Sequence, residues 1–331
     1  MVHQALRLFV AVSVILGALC LRPILISGQT ASSTVGGQPD IQGTWVNFDR
    51  TPLEVPTDAD PARLKALTKW FPGLEVTPEG LRGLTGPNPG GLAKVLGDGD
   101  GEGHSSKRSS LRRSMVIDPP TGRVPVRPEA EQQKNYNLIH LTDSYELHTP
   151  WERCITRGVP GGMMPAGYNN AYRILQTPDY VVILYEMIHE PRIIPIDGGA
   201  HVDESIHLWN GDSRGSWKGN TLVVEVTNYR AEQVGTIATG ISTTATLKGV
   251  PQSTGMRVIE RFTLVEPGRL SYEVTIEDPE VYTSPWTVSM PLHKDDEYDM
   301  YEYACHEGNY GLPNSLSGAR AVEQVGTRDQ Q

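Results

Sequence analysis

Apolar and polar residues alternate in short runs along most of the chain after residue 114. In the clearest run, Leu270, Tyr272, Val274 and Ile276 share one face, and polar residues occupy the other. Alternation with a period of two is typical of a strand that buries one face. About ten such runs follow one another, so the pattern predicts a series of consecutive strands.

Short turns separate these runs. Lys218-Gly219-Asn220 and Pro267-Gly268 are turn-forming sequences that connect neighbouring strands in a meander. A meander of this size leaves exposed edges unless it closes. We therefore expect an all-β fold, an antiparallel meander closed as a calycin-like barrel, with a β-sandwich as the alternative. Only a few short helices are expected, at residues 61–71 and 129–137.

The remaining segments define the predicted domain limits. Residues 1–28 have the charge and apolar run of a signal peptide, and residues 29–40 are a small, polar lead-in expected to be disordered. A single barrel domain is expected at 41–320, with an irregular excursion at 49–112 and a flexible tail at 321–331. These features predict a periplasmic or secreted protein. The alternative is membrane anchoring through residues 8–26.

The most apolar strand, at residues 180–188, leads directly into charged residues. Because it is apolar on both alternating faces, we expect both to be covered. Strand parity places Glu186 and His189 on opposite faces unless Pro191 breaks the ladder. One hypothesis makes His189, Glu190 and Arg192 a catalytic group at the barrel mouth, with the histidine as base and the arginine binding an anion. The alternative is a structural ion-pair network.

Two further groups of polar residues follow this strand. The candidate ligand-binding residues at the mouth are Trp209, Asp212, Arg214 and Glu186. The candidate metal ligands are His201, His207 and Asp203, because two histidines and a carboxylate can hold an ion with one open position. The simpler interpretations are turn chemistry for the first group and surface histidines for the second.

Charge and cysteine content limit the class of partner and the cellular compartment. The formal net charge is -10, which argues against nucleic acid as a partner. Beyond the predicted signal peptide the chain has two cysteines, Cys154 and Cys305, which form a candidate disulfide in an oxidising compartment. In the chain-entropy model such a bridge is worth ~4–5 kcal/mol. The alternative is two buried thiols.

Six short motifs occur between residues 114 and 320. They are Asp118-Pro-Pro-Thr-Gly-Arg123, Tyr168-Asn-Asn170, Gln176-Thr-Pro-Asp179, Trp209-Asn-Gly-Asp-Ser-Arg-Gly215, Trp217-Lys-Gly-Asn-Thr-Leu-Val-Val-Glu225 and Tyr303-Ala-Cys-His-Glu-Gly-Asn-Tyr310. Together they resemble a large family of exported bacterial β-rich proteins without an assigned activity. The resemblance implies a common fold and an exported setting, but no catalytic residue. More distantly, Gly43-x-Trp45 is similar to the opening strand of lipocalin-type, or calycin, barrels.

Several nucleotide-binding and zinc-protease signatures are missing from the sequence. It contains no phosphate loop, dinucleotide fingerprint or His-Glu-x-x-His. We therefore expect an exported barrel that binds a small apolar or amphipathic molecule. The alternative is a cofactor-free or metal-assisted lyase, isomerase or hydrolase that uses the His/Glu/Arg cluster. The sequence names no cofactor, and the expected partner is a small-molecule ligand or substrate. Membrane contact is expected only through an uncleaved N-terminal segment.

Overall fold

The computed structural model describes residues 37–47, 49, 51–55, 75–77, 80–82, 114–166, 168–237 and 247–328. The predicted signal peptide, most of the lead-in, the helix at 61–71 and most of the excursion at 49–112 lie outside the described residues. No helix in the described part of the chain is long and apolar enough to cross a membrane.

Most of the regular secondary structure in the described residues is strand. Two α-helices accompany them, α1 (Pro128–Ile139) and α2 (Gly311–Arg328), with 3-10 turns at Tyr145–Leu147, Gly161–Met163 and Met187–His189. The strands are β1 (Gly43–Val46), β2 (Glu75–Thr77), β3 (Gly80–Arg82), β4 (Val116–Asp118), β5 (Ala171–Gln176), β6 (Tyr180–Tyr185), β7 (Pro191–Pro195), β8 (Asp212–Lys218), β9 (Thr221–Thr227), β10 (Arg257–Glu266), β11 (Arg269–Glu277) and β12 (Trp286–Lys294).

One antiparallel sheet carries the fold. Its strands follow the order β7-β6-β5-β1-β12-β11-β10-β9-β8, β4 pairs beside β12, and β2 and β3 form a separate hairpin. The sheet nearly closes where β7 meets β8. A side chain at Gly215 of β8 would place its Cβ 2.9 Å from Ile194 of β7, so only glycine permits this close approach. The predicted all-β, barrel-like antiparallel fold is confirmed.

The predicted alternation fills the barrel interior. In β11 the residues Leu270, Tyr272, Val274 and Ile276 are all fully buried, as are Leu222, Val224 and Val226 in β9. The largest fully buried side chains are aromatic: Trp45, Trp286, Tyr172, Tyr229, Tyr272 and Phe262. Because large side chains occupy the inside of small barrels, this interior is a packed core.

An ion pair lies inside this core. Arg192 of β7 and Glu260 of β10 are joined by Nη1–Oε1 at 3.0 Å and Nη2–Oε2 at 2.5 Å. Ser213 of β8 accepts from Arg192 Nε at 3.1 Å, and the Tyr272 hydroxyl donates to Glu260 at 2.8 Å. Burial alone would lower the pKa of Arg192, but the Glu260 carboxylate outweighs it and raises that pKa. The pair therefore stays charged in the interior and bridges β7, β8 and β10.

A loop closes one end of the barrel, the end at which β6 finishes and β7 begins, here called the upper end. This plug loop, residues 158–164, contains the buried side chains of Val159, Met163 and Met164. The Tyr172 hydroxyl donates to the Met163 carbonyl at 3.1 Å, and the Tyr229 hydroxyl donates to Val159 at 3.1 Å. The barrel wall therefore holds the loop through its backbone carbonyls.

Two sequence predictions differ from the structure. Strand β6 ends at Tyr185, because Ile188 and His189 have φ values of 66° and 44° that no strand can accommodate. Its outer face is only partly covered, with Tyr180 exposed. The chain end also differs, since α2 extends to Arg328 where a flexible tail from 321 was expected. The helix-forming residues of that segment include Ala319, Ala321, Glu323 and Gln324.

The buried ion pair yields a stability prediction. Arg192→Met leaves the Glu260 carboxylate buried without its cation and should lower the free energy of unfolding by about 3–5 kcal/mol. The double variant Arg192→Met/Glu260→Leu should recover most of that loss, because it removes both charges. Urea denaturation measures both effects.

The matched control is Arg257→Met, which breaks the partly exposed ion pairs of Arg257 with Glu225 and Glu277 on the outer face. It should cost about 1 kcal/mol or less. Equal losses for Arg192→Met and Arg257→Met would contradict the importance assigned to the interior pair.

Candidate functional site

The predicted catalytic group does not come together. Arg192 points into the barrel and is fully engaged by Glu260 and Ser213. His189 is exposed and its Nδ1 donates to the Tyr303 carbonyl at 2.8 Å. His189 and Glu190 lie in the turn before β7, and Arg192 lies in β7 itself. Their side chains therefore point to different surroundings. The break that was expected at Pro191 lies before it, at residues 186–190, and it separates these side chains. Pro191 itself begins β7 and pairs with Leu184.

Glu190 connects the turn between β6 and β7 to the segment before the plug loop. Its carboxylate accepts from the Thr156 hydroxyl at 2.5 Å and from the Asn210 side-chain amide at 2.6 Å. Thr156 also accepts from the Gly158 amide at 2.9 Å. Burial raises the pKa of Glu190, although Thr156 and Asn210 partly oppose the shift. These contacts give Glu190 a positioning role.

Glu186 was expected to bind a ligand at the mouth, but it is buried under the C-terminal part of the chain. It accepts from the Tyr298 hydroxyl at 3.1 and 3.0 Å and from the Ala171 amide at 3.3 Å. The strap, residues 298–310, contributes Tyr298 and covers this edge of the barrel. Neither Tyr298 nor Ala171 is a sequence neighbour of Glu186. The alternation of side chains along the strand therefore could not reveal these contacts.

A disulfide fixes the strap. Cys154 and Cys305 are bonded, across a sequence separation of 151 residues. Next to the bridge, the Asn309 side chain donates to the Glu152 carbonyl at 3.4 Å, and the Tyr168 and Tyr303 hydroxyls are 3.2 Å apart. Of the two sequence alternatives, a bridge or two thiols, the structure contains the bridge. It ties the strap to the segment that leads into the plug loop.

The other ligand-binding candidates belong to the outer surface of the sheet. Asp212 accepts from His201 Nδ1 at 2.8 Å and from Arg214 Nε at 3.0 Å. The Arg214 and His201 hydrogen bonds keep the pKa of Asp212 low, although burial opposes them. Trp209 lies against Arg230, whose Cζ is 4.2 Å from the ring centroid. Local ion pairs and cation–π packing therefore account for these residues.

The predicted metal ligands do not form a metal site. Among the described residues, no group of three or more His, Cys, Asp or Glu side chains could hold a metal ion. Asp203 instead accepts from the Ser205 amide at 2.9 Å, and His207 is exposed. The segment between β7 and β8 is irregular, so the spacing of a strand does not apply to His201 and His207.

A groove at the upper end is the more promising binding feature. It has a volume of about 310 Å³ and lies between α1 and the connections that follow β9 and β11. Its lining residues are Glu129, Ala130, Gln133, Ala231, Pro251, Gln252, Ser253, Thr254, Glu280 and Val281. This volume is at the lower end of the range of small-molecule sites, ~300–1,000 Å³.

Hydrogen bonds at both ends of α1 fix the shape of this groove. Arg127, just before the helix, donates through Nε to the Pro279 and Tyr282 carbonyls at 2.7 and 3.1 Å. Asn137, near the helix end, donates to the Gln233 and Gly249 carbonyls at 2.6 and 2.8 Å. The groove is therefore held open between anchored walls.

One groove wall is fixed by a buried carboxylate. Asp278 accepts from the Ser253 amide at 2.9 Å and from the Ser253 hydroxyl at 2.7 Å. Sequence reasoning predicted a helical turn near residues 129–137 but assigned no site to it. The lining comes from three segments far apart in the chain, so no local motif signals the groove.

Comparison with known proteins adds no identification. No protein-family model matches the chain, and no curated protein matches it. The resemblance to exported bacterial proteins therefore stays a prediction.

The raised pKa of Glu190 predicts a pH-dependent stability. A carboxyl whose folded pKa lies above its unfolded value contributes stability that is complete below about pH 4 and is lost as the pH rises. Glu190→Gln mimics the protonated form. The variant should match the wild type in acid and become relatively more stable towards neutral pH. Urea denaturation between these pH values measures the difference.

Glu302→Gln, at an exposed position on the strap, is the control for losing one negative charge. If Glu190→Gln becomes progressively less stable than the wild type as pH rises, Glu190 is stabilised in its ionised form and the predicted sign is wrong.

Proposed function

We propose that the protein is an exported binding protein for a small amphipathic molecule, which it holds in the groove between α1 and the upper-end connections. The groove itself is the observation that supports this function. The packed barrel interior argues against binding in the centre, since aromatic side chains and the buried ion pair fill it. The ligand site is therefore displaced from the barrel centre to its closed end.

The lining favours an amphipathic ligand over a purely apolar one. Ala130, Pro251 and Val281 provide apolar surface, and Gln133 and Thr254 provide polar groups at the edge. Small-molecule sites commonly combine apolar walls with a few oriented polar groups. A ligand with one apolar and one polar part would contact both.

The charge of the groove favours a ligand with a positively charged end. Glu129 and Glu280 contribute carboxylates, and none of the lining residues is basic. Both glutamates are exposed. A cation would reduce the repulsion between them, whereas a carboxylate ligand would add to it. We therefore expect an amine-bearing molecule to bind better than an acid of equal size.

A pair of probes that differ mainly in charge tests this proposal. Phenethylamine should raise the melting temperature of the natively purified protein more than phenylacetate does, because the aromatic part is the same and only the head group differs. Glu129→Gln/Glu280→Gln should weaken phenethylamine binding by about 1 kcal/mol, or roughly fivefold, in isothermal calorimetry.

A second test of the proposed site blocks the groove with a large side chain. Ala231→Trp places a large ring in the groove from an exposed position and should abolish the phenethylamine effect, whereas Ala200→Trp, at another exposed alanine, should not. Equal binding of both probes by the wild type and by Ala231→Trp would show that the groove is not the site.

The export part of the proposal has an independent test. If residues 1–28 act as a signal peptide, N-terminal sequencing of the protein purified from its native host should begin at or near residue 29. A protein that retains residue 1 would favour the membrane-anchored alternative or exclude export.

A further inference from the structure

Arg157 is a buried cation between the disulfide and the plug loop. Only 3% of its surface is exposed. Its Nη2 donates to the Gly161 carbonyl at 3.0 Å and to the Met164 carbonyl at 3.1 Å. These two bonds fix the plug loop but use backbone dipoles, which do not neutralise a full charge.

The positive charge of Arg157 has no counter-charge in the described part of the chain. No carboxylate there forms an ion pair with it, and its Nε is buried with no hydrogen-bond partner. Burial lowers the pKa of Arg157 to about 10, so the guanidinium is still charged at neutral pH. A buried charge without a partner costs several kcal/mol, and a buried N–H without an acceptor adds to that cost.

Aromatic side chains surround this guanidinium. Its Cζ is 5.2 Å from the centre of the Trp151 ring. Burial raises the pKa of Tyr168, which the nearby Arg157 partly opposes, so the phenol stays neutral. Tyr168 and Tyr303 share one hydrogen bond at 3.2 Å, which leaves the second hydroxyl hydrogen available to another acceptor. These groups offer donors and a ring face, but no negative charge.

We propose that Arg157, together with the Tyr168 and Tyr303 pair, binds a small monovalent anion of the halide type, such as chloride. The anion accepts from Arg157 Nε and from the free phenolic hydrogen and neutralises the guanidinium. A water molecule could accept the same hydrogen bonds, but it would leave the charge uncompensated.

One positive charge in a tightly packed surrounding favours one small anion. Since Arg157 holds the plug loop and Tyr303 belongs to the strap, the anion would join these two segments.

The experiment uses the disulfide-intact protein and three sodium salts, the chloride, the bromide and the gluconate. The melting temperature is measured as chloride replaces gluconate at constant ionic strength, because gluconate is too large for a buried site. Chloride and bromide should raise the melting temperature of the wild type along a saturating curve. Arg157→Gln should remove this dependence. Diffraction from bromide-soaked crystals should place an anomalous peak within hydrogen-bond distance of Arg157 Nε.

Tyr168→Phe is the second variant, because it keeps the guanidinium and removes one hydroxyl. It should shift the chloride midpoint to higher concentration, and this readout stands even if Arg157→Gln fails to fold. Tyr180→Phe, at an exposed tyrosine, is the matched control and should leave the midpoint unchanged. Identical chloride dependence in the wild type and Tyr168→Phe, with no bromide at Arg157, would overturn the proposal.

Discussion

The barrel interior is otherwise filled by apolar and aromatic side chains, so the charged pair inside it has to be fully hydrogen-bonded and neutralised. Arg192 and Glu260 come from strands on either side of the point where the sheet nearly closes, and Ser213 of β8 completes the contact. Backbone hydrogen bonds join the neighbouring strands elsewhere in the sheet. Two other contacts hold β7 and β8 together: the close approach at Gly215 and the hydrogen bond from the Arg192 side chain to Ser213. The ion pair therefore adds side-chain hydrogen bonds between β7, β8 and β10 at the place where the sheet does not close through a backbone ladder.

This use of Arg192 determines what the mouth of the barrel can do. An arginine held by a carboxylate and a hydroxyl has its positive charge compensated, so it is poorly suited to binding a ligand anion. The neighbouring His189 and Glu190 bind the strap and the Thr156 and Asn210 pair. His189, Glu190 and Arg192 are close together in the chain, but each makes a different structural contact. A cluster of charged residues in the sequence therefore did not correspond to a catalytic group.

Two polar features that lie outside the packed core, the groove beside α1 and Arg157, are at the upper end of the barrel. The groove beside α1 has acidic and apolar surface between anchored walls, and Arg157 carries a positive charge that no carboxylate in the described part of the chain neutralises. The two features differ in kind. The groove is open and has the volume of a small ligand, whereas Arg157 is enclosed and suits a single small anion. Both are built from long connections, which tolerate variation better than the barrel strands do.

The sequence by itself determined the strand pattern and the buried faces, because alternation with a period of two is local and each strand shows it. It left the closed barrel and the sandwich as alternatives, and the structure contains the barrel-like sheet. The sequence also offered the Cys154 and Cys305 pair as one of two alternatives. Only the tertiary structure decided the partner of Arg192, since Glu260 is 68 residues away on a strand that looks ordinary in sequence. The groove and the surroundings of Arg157 were likewise decided in three dimensions. Partners brought together by loop closure leave no periodic signal, and whether a charge is compensated depends on every segment that packs around it.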